Sequence, residues 1–329
     1  MSFRAILITK TDAGQKAELT RLEDSDLMEG DVTVDVTHSS VNYKDGLNIT
    51  GKSPIARRFP LIPGIDFAGV VRSSSHPRWK AGDHVVLNGY GVGEGHHGGF
   101  SEVARLSGDW LVPVPKGWTA ADCMSVGVAG YTAMLCVMAL EEQGVKPSDG
   151  DILVTGAAGG VGTTAIVILA KLGYRVIAST GRTSEEPFLK SLGAAGVVDR
   201  NEFNGPVKAL AKSRWAGCVD SVGSVTLANV ISQMNAEGTV AACGNAQGMD
   251  LPTNVAPFIL RGVSLLGVES VRPRIALRRE AWARIAADLD GAMIDEMSEI
   301  IPFAAALERA RAIVNGKIRG RVVIEMGRS

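Results

Sequence analysis

The stretch ILVTGAAGGVGTTA, Ile152–Ala165, decides the fold of this chain. An apolar, β-branched run is followed by glycines at 156, 159, 160 and 162, and then by a helical pattern that continues to Leu172. Glycine lets the backbone turn tightly and approach a diphosphate, whose charge meets the unpaired N–H groups and positive dipole end of the helix. The three-glycine fingerprint of dinucleotide folds would fall on Ala157, Gly159 and Gly162, so its first position is alanine here. No lysine follows Gly162, which excludes the loop that grips the terminal phosphates of a nucleoside triphosphate.

The next apolar strand selects the dinucleotide. NAD sites end this strand on a carboxylate that bonds the adenosine ribose, but the text is IASTGRTS (177–184), with no acid until Glu185. Thr180, Gly181 and Arg182 instead offer a hydroxyl, backbone and a guanidinium to a 2′-phosphate, and Arg200 beyond the third strand adds a second cation. A charge-assisted pair of this kind contributes about 1.5–3 kcal/mol, which favours NADPH.

Working outward, the strands ILVT, YRVIAS, GVV, CVDSV, GTVAACG and VSLLGV alternate with helical patterns, as in a doubly wound parallel sheet. Upstream, DVTVDV, FAGVV and HVVLNGYG are short β-rich runs separated by glycine turns, which predict a barrel-like β domain. Downstream, helices are expected over 278–289 and 304–315, and the final strand RVVIEM, Arg321–Met326, is expected to rejoin the first domain. The expected division is therefore 1–126 with 271–329 as the β-rich substrate domain, and 127–270 as the α/β cofactor domain.

With 34 Lys+Arg against 35 Asp+Glu, the chain has no basic excess with which to neutralise nucleic acid. The early apolar run is only Ala5–Ile8, too short for a signal peptide or membrane span, so a cytoplasmic protein is expected. Cys123, Cys136, Cys218 and Cys243 lie in apolar context without a C-x-x-C pair and read as buried thiols. Glu94, His96 and His97 are adjacent on one glycine-rich loop, a poor arrangement for three or four convergent ligands, and no metal site is expected.

This β-rich domain, followed by the glycine-turn sheet and a returning strand, resembles the medium-chain dehydrogenase/reductase superfamily over essentially the whole chain. Zinc alcohol dehydrogenases of that superfamily carry a cysteine where this chain has NYKD (42–45) and a His-Glu pair where it has PGIDFAG (63–69). Longer strings, among them SSVNYKDGLNITGK (39–52), GVAGYTAMLCVMALE (127–141) and APFILRGVSLLGVES (256–270), resemble the zinc-free acrylyl-CoA reductase branch, also called YhdH-type quinone oxidoreductases. The resemblance implies a GroES-like domain with a Rossmann domain, and NADPH-dependent reduction of the C=C bond of an unsaturated acyl thioester. Two alternatives stay open, a quinone or general enone reductase and a non-catalytic NADPH sensor.

By the same resemblance Tyr43 lies against the nicotinamide and donates to the developing enolate, with Asn42 beside it near the cofactor ribose. Lys44 and Asp45 are expected to fix their loop. Thr132 packs on the nicotinamide ring, and Ala158, Gly159, Gly160 and Val161 line the diphosphate. Gly244 and Val268 close the last strands, where ligands meet a parallel sheet. Arg321 is a candidate for an anion of cofactor or substrate, and Lys52, Arg57 and Arg58 are candidate cations for coenzyme A, though a solvated basic turn explains these three as well. The apolar strand SLLGV resembles the edge through which relatives form homodimers.

Overall fold

The computed structural model describes residues 1–12, 14–289 and 291–327. It divides into two compact units, one of Met1–Val128, Val271–Glu280 and Ser298–Ser329, the other of Ala129–Ser270 and Ala281–Met297. Ala281–Met297, expected with the β-rich domain, therefore goes with the sheet domain. The reason is its contacts: Arg284 bonds Glu141 at 2.8 Å, and the Lys171 ammonium donates to the Ala287 carbonyl.

In the second unit six strands run parallel in the order 196–199, 176–180, 151–154, 215–220, 234–242, 264–267. Val154 lies opposite Ala178 on one side and Val219 on the other, so Asp151–Val154 is a central strand. The chain leaves it in one direction first and then restarts on the other side from Trp215–Asp220. The gap at the carboxyl ends of those two strands is the topological switch point, where open α/β sheets take their ligands. Both faces of the sheet are covered, as the continuous apolar strands require. Leu153, Ile177, Cys218 and Val240 are buried with Leu227 and Val230 of the helix Ser224–Ser232.

The first unit holds a sheet of seven strands around Val32–Ser40, with a separate two-stranded hairpin, Ser2–Thr11 with Gly14–Glu23. Arg321–Glu325 pairs antiparallel with Val32–Ser40, the expected return of the chain. One element differs from the sequence expectation. Asn42–Asp45 is no loop, because Tyr43–Thr50 is a helix that Asn42 caps, and the Asn42 N–H donates to Asp45 Oδ2 at 3.1 Å. Gly51 ends it in the left-handed conformation, φ 66°. The long helix Ala120–Glu142 breaks at Gly127, φ 54°. It is long and apolar enough to cross a membrane, but 89% of its most apolar window is buried inside the protein.

Candidate active site

The glycine turn has the shape its composition implies. Gly156 takes φ 60°, and Gly159 caps the helix Gly160–Lys171. A Cβ on Gly162 would lie 2.6 Å from Ala157 Cα and from the Gly156 carbonyl oxygen, so the helix can press this closely on the turn only without a side chain. Ala158, Gly159, Gly160 and Val161 lie at this helix N-terminus. The arrangement fits a diphosphate, which needs backbone N–H groups and close approach.

The two expected cations both lie beside Gly181, at the end of Val176–Thr180. The Thr180 hydroxyl accepts the Arg182 N–H at 3.1 Å, and Arg182 reaches back to the Ala158 carbonyl at 3.3 Å, toward the glycine turn. Arg200 packs on Gly181 so closely that a Cβ there would fall 2.7 Å from its Cζ. Asp199, the cross-strand partner of Thr180, accepts the Asn201 N–H at 2.9 Å through Oδ1. Two guanidinium groups at this position suit a ribose that carries an additional phosphate.

Farther along the sheet, Gly223, Ser224, Cys243, Gly244 and Met249 line a depression of about 410 Å³ at the ends of Trp215–Asp220 and Met234–Ala242. Gly244 is in this lining, and Val268 bonds through its N–H to the Ala242 carbonyl at 2.9 Å. Thr132 is buried on its helix. Of the four cysteines three are buried, and only Cys243 is half-buried.

In the first unit the structure corrects two expectations. Arg321, expected to meet an anion from cofactor or substrate, is 2% exposed. Its donors go to the Ser125 carbonyl, Asn42 Oδ1, Ser40 Oγ and the Met124 carbonyl at 3.0, 3.0, 2.7 and 3.3 Å. Asn42, expected to reach the cofactor ribose, spends both ends of its amide inside the same cluster. Nδ2 donates to Asp66 Oδ2 at 3.1 Å and to the Ser40 carbonyl at 3.1 Å, while Oδ1 accepts from Arg321. The physical reason is charge. The fully buried Asp66 carboxylate needs a cation and donors, and Arg321, Asn42, Ser40 and the Val128 N–H at 2.7 Å supply them.

Asp66 is the residue that sequence reasoning missed. It stands in PGIDFAG (63–69), where an acid among apolar residues carries no local sign of its burial. Burial raises its pKa, and the Arg321 charge opposes the rise. Arg321 is itself pulled down by burial, against the pull of Asp66 and Asp45. Asp45 is pushed up to about 7 by burial and by the Asp66 carboxylate, although the N–H groups of Asn42, Gly64 and Ile65 donate to it. The cluster fixes Asn42 at the head of its helix and leaves Tyr43, the next residue, 40% exposed.

The remaining candidates are engaged elsewhere. Glu94 holds Lys44 at 2.8 Å and Arg57 at 3.5 Å, and His97 Nδ1 accepts the Ile62 N–H at 3.1 Å. His96 faces the His97 and Glu29 carbonyls. Lys52 donates to Asn315 Oδ1 at 3.3 Å. Among the described residues no group of three or more His, Cys, Asp or Glu is arranged to hold a metal ion.

Residues 28–116 match the alcohol dehydrogenase GroES-like domain, and residues 160–287 match the family described as zinc-binding dehydrogenase. Over 98% of the chain and 99% of the relative, it is 52% identical to the probable acrylyl-CoA reductase AcuI of Escherichia coli K12. The chain belongs to the acrylyl-CoA reductase branch of the zinc-free medium-chain dehydrogenases/reductases. Acrylyl-CoA reductase AcuI of Ruegeria pomeroyi is 48% identical over the same shares of both chains. The yhdH oxidoreductase of Salmonella enterica, solved in complex with NADP, superposes with a TM-score of 0.97 at 51% identity, covering 99% of this chain and 100% of that one.

Proposed function

We propose that this chain reduces the C=C bond of an α,β-unsaturated acyl-CoA, acrylyl-CoA to propionyl-CoA, using NADPH and no metal. The observation that carries the reading is the end-to-end match to two acrylyl-CoA reductases. Arg182 and Arg200 beside Gly181 support the choice of cofactor.

Bound NADPH supplies a hydride. The chain's own task is to receive the charge that then builds on the thioester oxygen as the β-carbon takes the hydride, until a proton from water or from Tyr43 reaches the α-carbon and completes the saturated thioester. A well-placed hydrogen-bond donor contributes about 3–4 kcal/mol at such an oxygen. The exposed Tyr43 hydroxyl is the proposed donor, and Asn42, held by Asp66 and Arg321, positions it. Ala158, Gly159, Gly160 and Val161 hold the diphosphate through the helix N-terminus. Thr180, Arg182 and Arg200 hold the adenosine phosphate, and Thr132, Gly244 and Val268 hold the nicotinamide half.

The finer reading includes a cytoplasmic homodimer. Ser264–Gly267 is an edge strand of a parallel sheet, and Val255, Ile259 and Leu260 on the preceding segment are 66, 72 and 66% exposed. An unpaired edge beside apolar side chains is the kind of surface that a second copy covers. Light scattering is expected to give twice the chain mass, and a monomeric mass overturns this part.

Steady-state NADPH oxidation with acrylyl-CoA, crotonyl-CoA and a simple quinone tests the activity. The thioesters are expected to be much the better substrates. Equal, weak rates on all three would favour a general enone or quinone reductase. Tight NADPH binding without turnover would favour a sensor.

A further inference from the structure

The two central strands of the parallel sheet end in polar side chains that no apolar core requires. Thr155 follows Asp151–Val154, Asp220 closes Trp215–Asp220, and both are buried. Thr155 Oγ1 donates to Asp220 Oδ1 at 2.6 Å and accepts the Ser221 N–H at 3.1 Å. Ser221 Oγ donates back to the Thr155 carbonyl at 3.1 Å. The second carboxylate oxygen of Asp220 accepts the Gly223 N–H at 2.9 Å, where the helix Ser224–Ser232 begins. The Asp220 carbonyl accepts the Cys243 N–H at 2.8 Å. Three segments, at the ends of three adjacent strands, are thus pinned at one residue.

The spacing is equally tight. A Cβ on Gly156 would lie 2.5 Å from Ser221 Oγ, and one on Gly244 would lie 2.9 Å from Ser221 Cα. The groups bonded to the Asp220 side chain are a neutral hydroxyl and backbone N–H donors. Burial raises its pKa, opposed by the bonds from Thr155, Gly223 and Val222. A buried carboxylate held by neutral donors alone is costly, and an apolar residue would end a core strand more cheaply. The place that it occupies, between the two strands of the switch point, accounts for it.

We propose that Asp220, acting through Thr155, is a positioning residue that holds the glycine turn at the separation from 221–224 and 243–244 at which one dinucleotide is received by all three. The inference rests on the NADPH reading. It separates two functions of the sheet, because the latch sets cofactor affinity without touching the acyl-CoA.

The test compares wild type, Thr155→Val, Thr155→Ser and Asp220→Asn. The readouts are NADPH Kd by fluorescence titration of the ligand-free protein, KM for NADPH and for acrylyl-CoA, and the melting temperature without cofactor. Thr155→Val removes two buried hydrogen bonds, the one given to Asp220 Oδ1 and the one taken from the Ser221 N–H, while keeping the shape. It is expected to weaken NADPH about tenfold and to leave the acrylyl-CoA KM within about twofold. Thr155→Ser restores affinity to within about threefold of wild type, and Asp220→Asn weakens NADPH as Thr155→Val does. A Thr155→Val protein that melts earlier yet binds NADPH like wild type overturns the proposal, as does an equal rise in both KM values. If Asp220→Asn does not fold, the Val and Ser pair decides. Wild type that fails to bind NADPH sinks the cofactor reading instead, a result distinguishable from both.

Discussion

Replacing Arg321 by methionine isolates the charge of the buried cluster. Methionine fills much of the same space, so the principal losses are four hydrogen bonds and the cation facing Asp66 and Asp45. Ser40 and Asn42 bridge the guanidinium to the Asp66 carboxylate, and removing one charge of such a buried cluster costs about 3–5 kcal/mol, because the other stays behind. At roughly 2–4 °C per kcal/mol for a unit of this size, the transition of the first unit should fall by about 6–20 °C. The loss must also depend on pH. Burial already raises Asp66 while Arg321 holds it down, so without the guanidinium its folded pKa climbs farther above the unfolded value. The folded state then carries a proton that the unfolded chain has released, and stability declines as pH rises through that window. Thermal unfolding by circular dichroism at about pH 5 and about pH 8 should therefore show the larger loss at the higher pH. NADPH affinity, measured in parallel, reports that the second unit is intact. A loss below about 1 kcal/mol, or one equal at both pH values, would refute the charge argument and leave only packing.

Three further outcomes are expected. Arg182→Ala should raise the KM for NADPH by about tenfold to a hundredfold while leaving that for NADH nearly unchanged, since only the former carries the phosphate. Tyr43→Phe should lower kcat by about a hundredfold or more, with little change in melting temperature because the side chain is exposed; an unchanged kcat would remove Tyr43 from the chemistry. Asp45 holds a proton in the folded state up to about 7 against 3.8 in the free residue, so its contribution to stability is present at low pH and is lost as pH rises between those values. Compared with Asp45→Asn by urea unfolding across that range, wild type should lose up to about 4 kcal/mol relative to the variant; parallel curves would contradict the raised pKa.

Local pattern carried the architecture of the second unit. The strands found at 151–154, 176–180, 196–199, 215–220, 234–242 and 264–267 overlap the apolar runs that predicted them, because a strand covered on both faces writes itself as a continuous apolar segment. The helix Tyr43–Thr50 was legible in principle. Asn42 followed by Asp45 and closed by Gly51 is a capped helix, but at eight residues with a polar face it lacks the long period that reveals a helix. The hairpin strands Ser2–Thr11 and Gly14–Glu23 have a weak signature in sequence, because the second is largely exposed and polar.

What the amino-acid sequence alone determined is whatever depends on neighbours along the chain: the glycine turn, the parallel strands, the missing acid after Ser179 and the cations that replace it. Tertiary structure decided the rest. In the sequence Arg321 is a candidate for an anion of cofactor or substrate, and only the packing of Val32–Ser40, Asp66 and the Gly127 break around it makes it a buried counter-charge. Asp220 likewise meets Thr155 across 65 residues of chain. Burial and charge pairing are properties of which segments become neighbours in space, and no spacing between letters encodes the energy of a carboxylate removed from water.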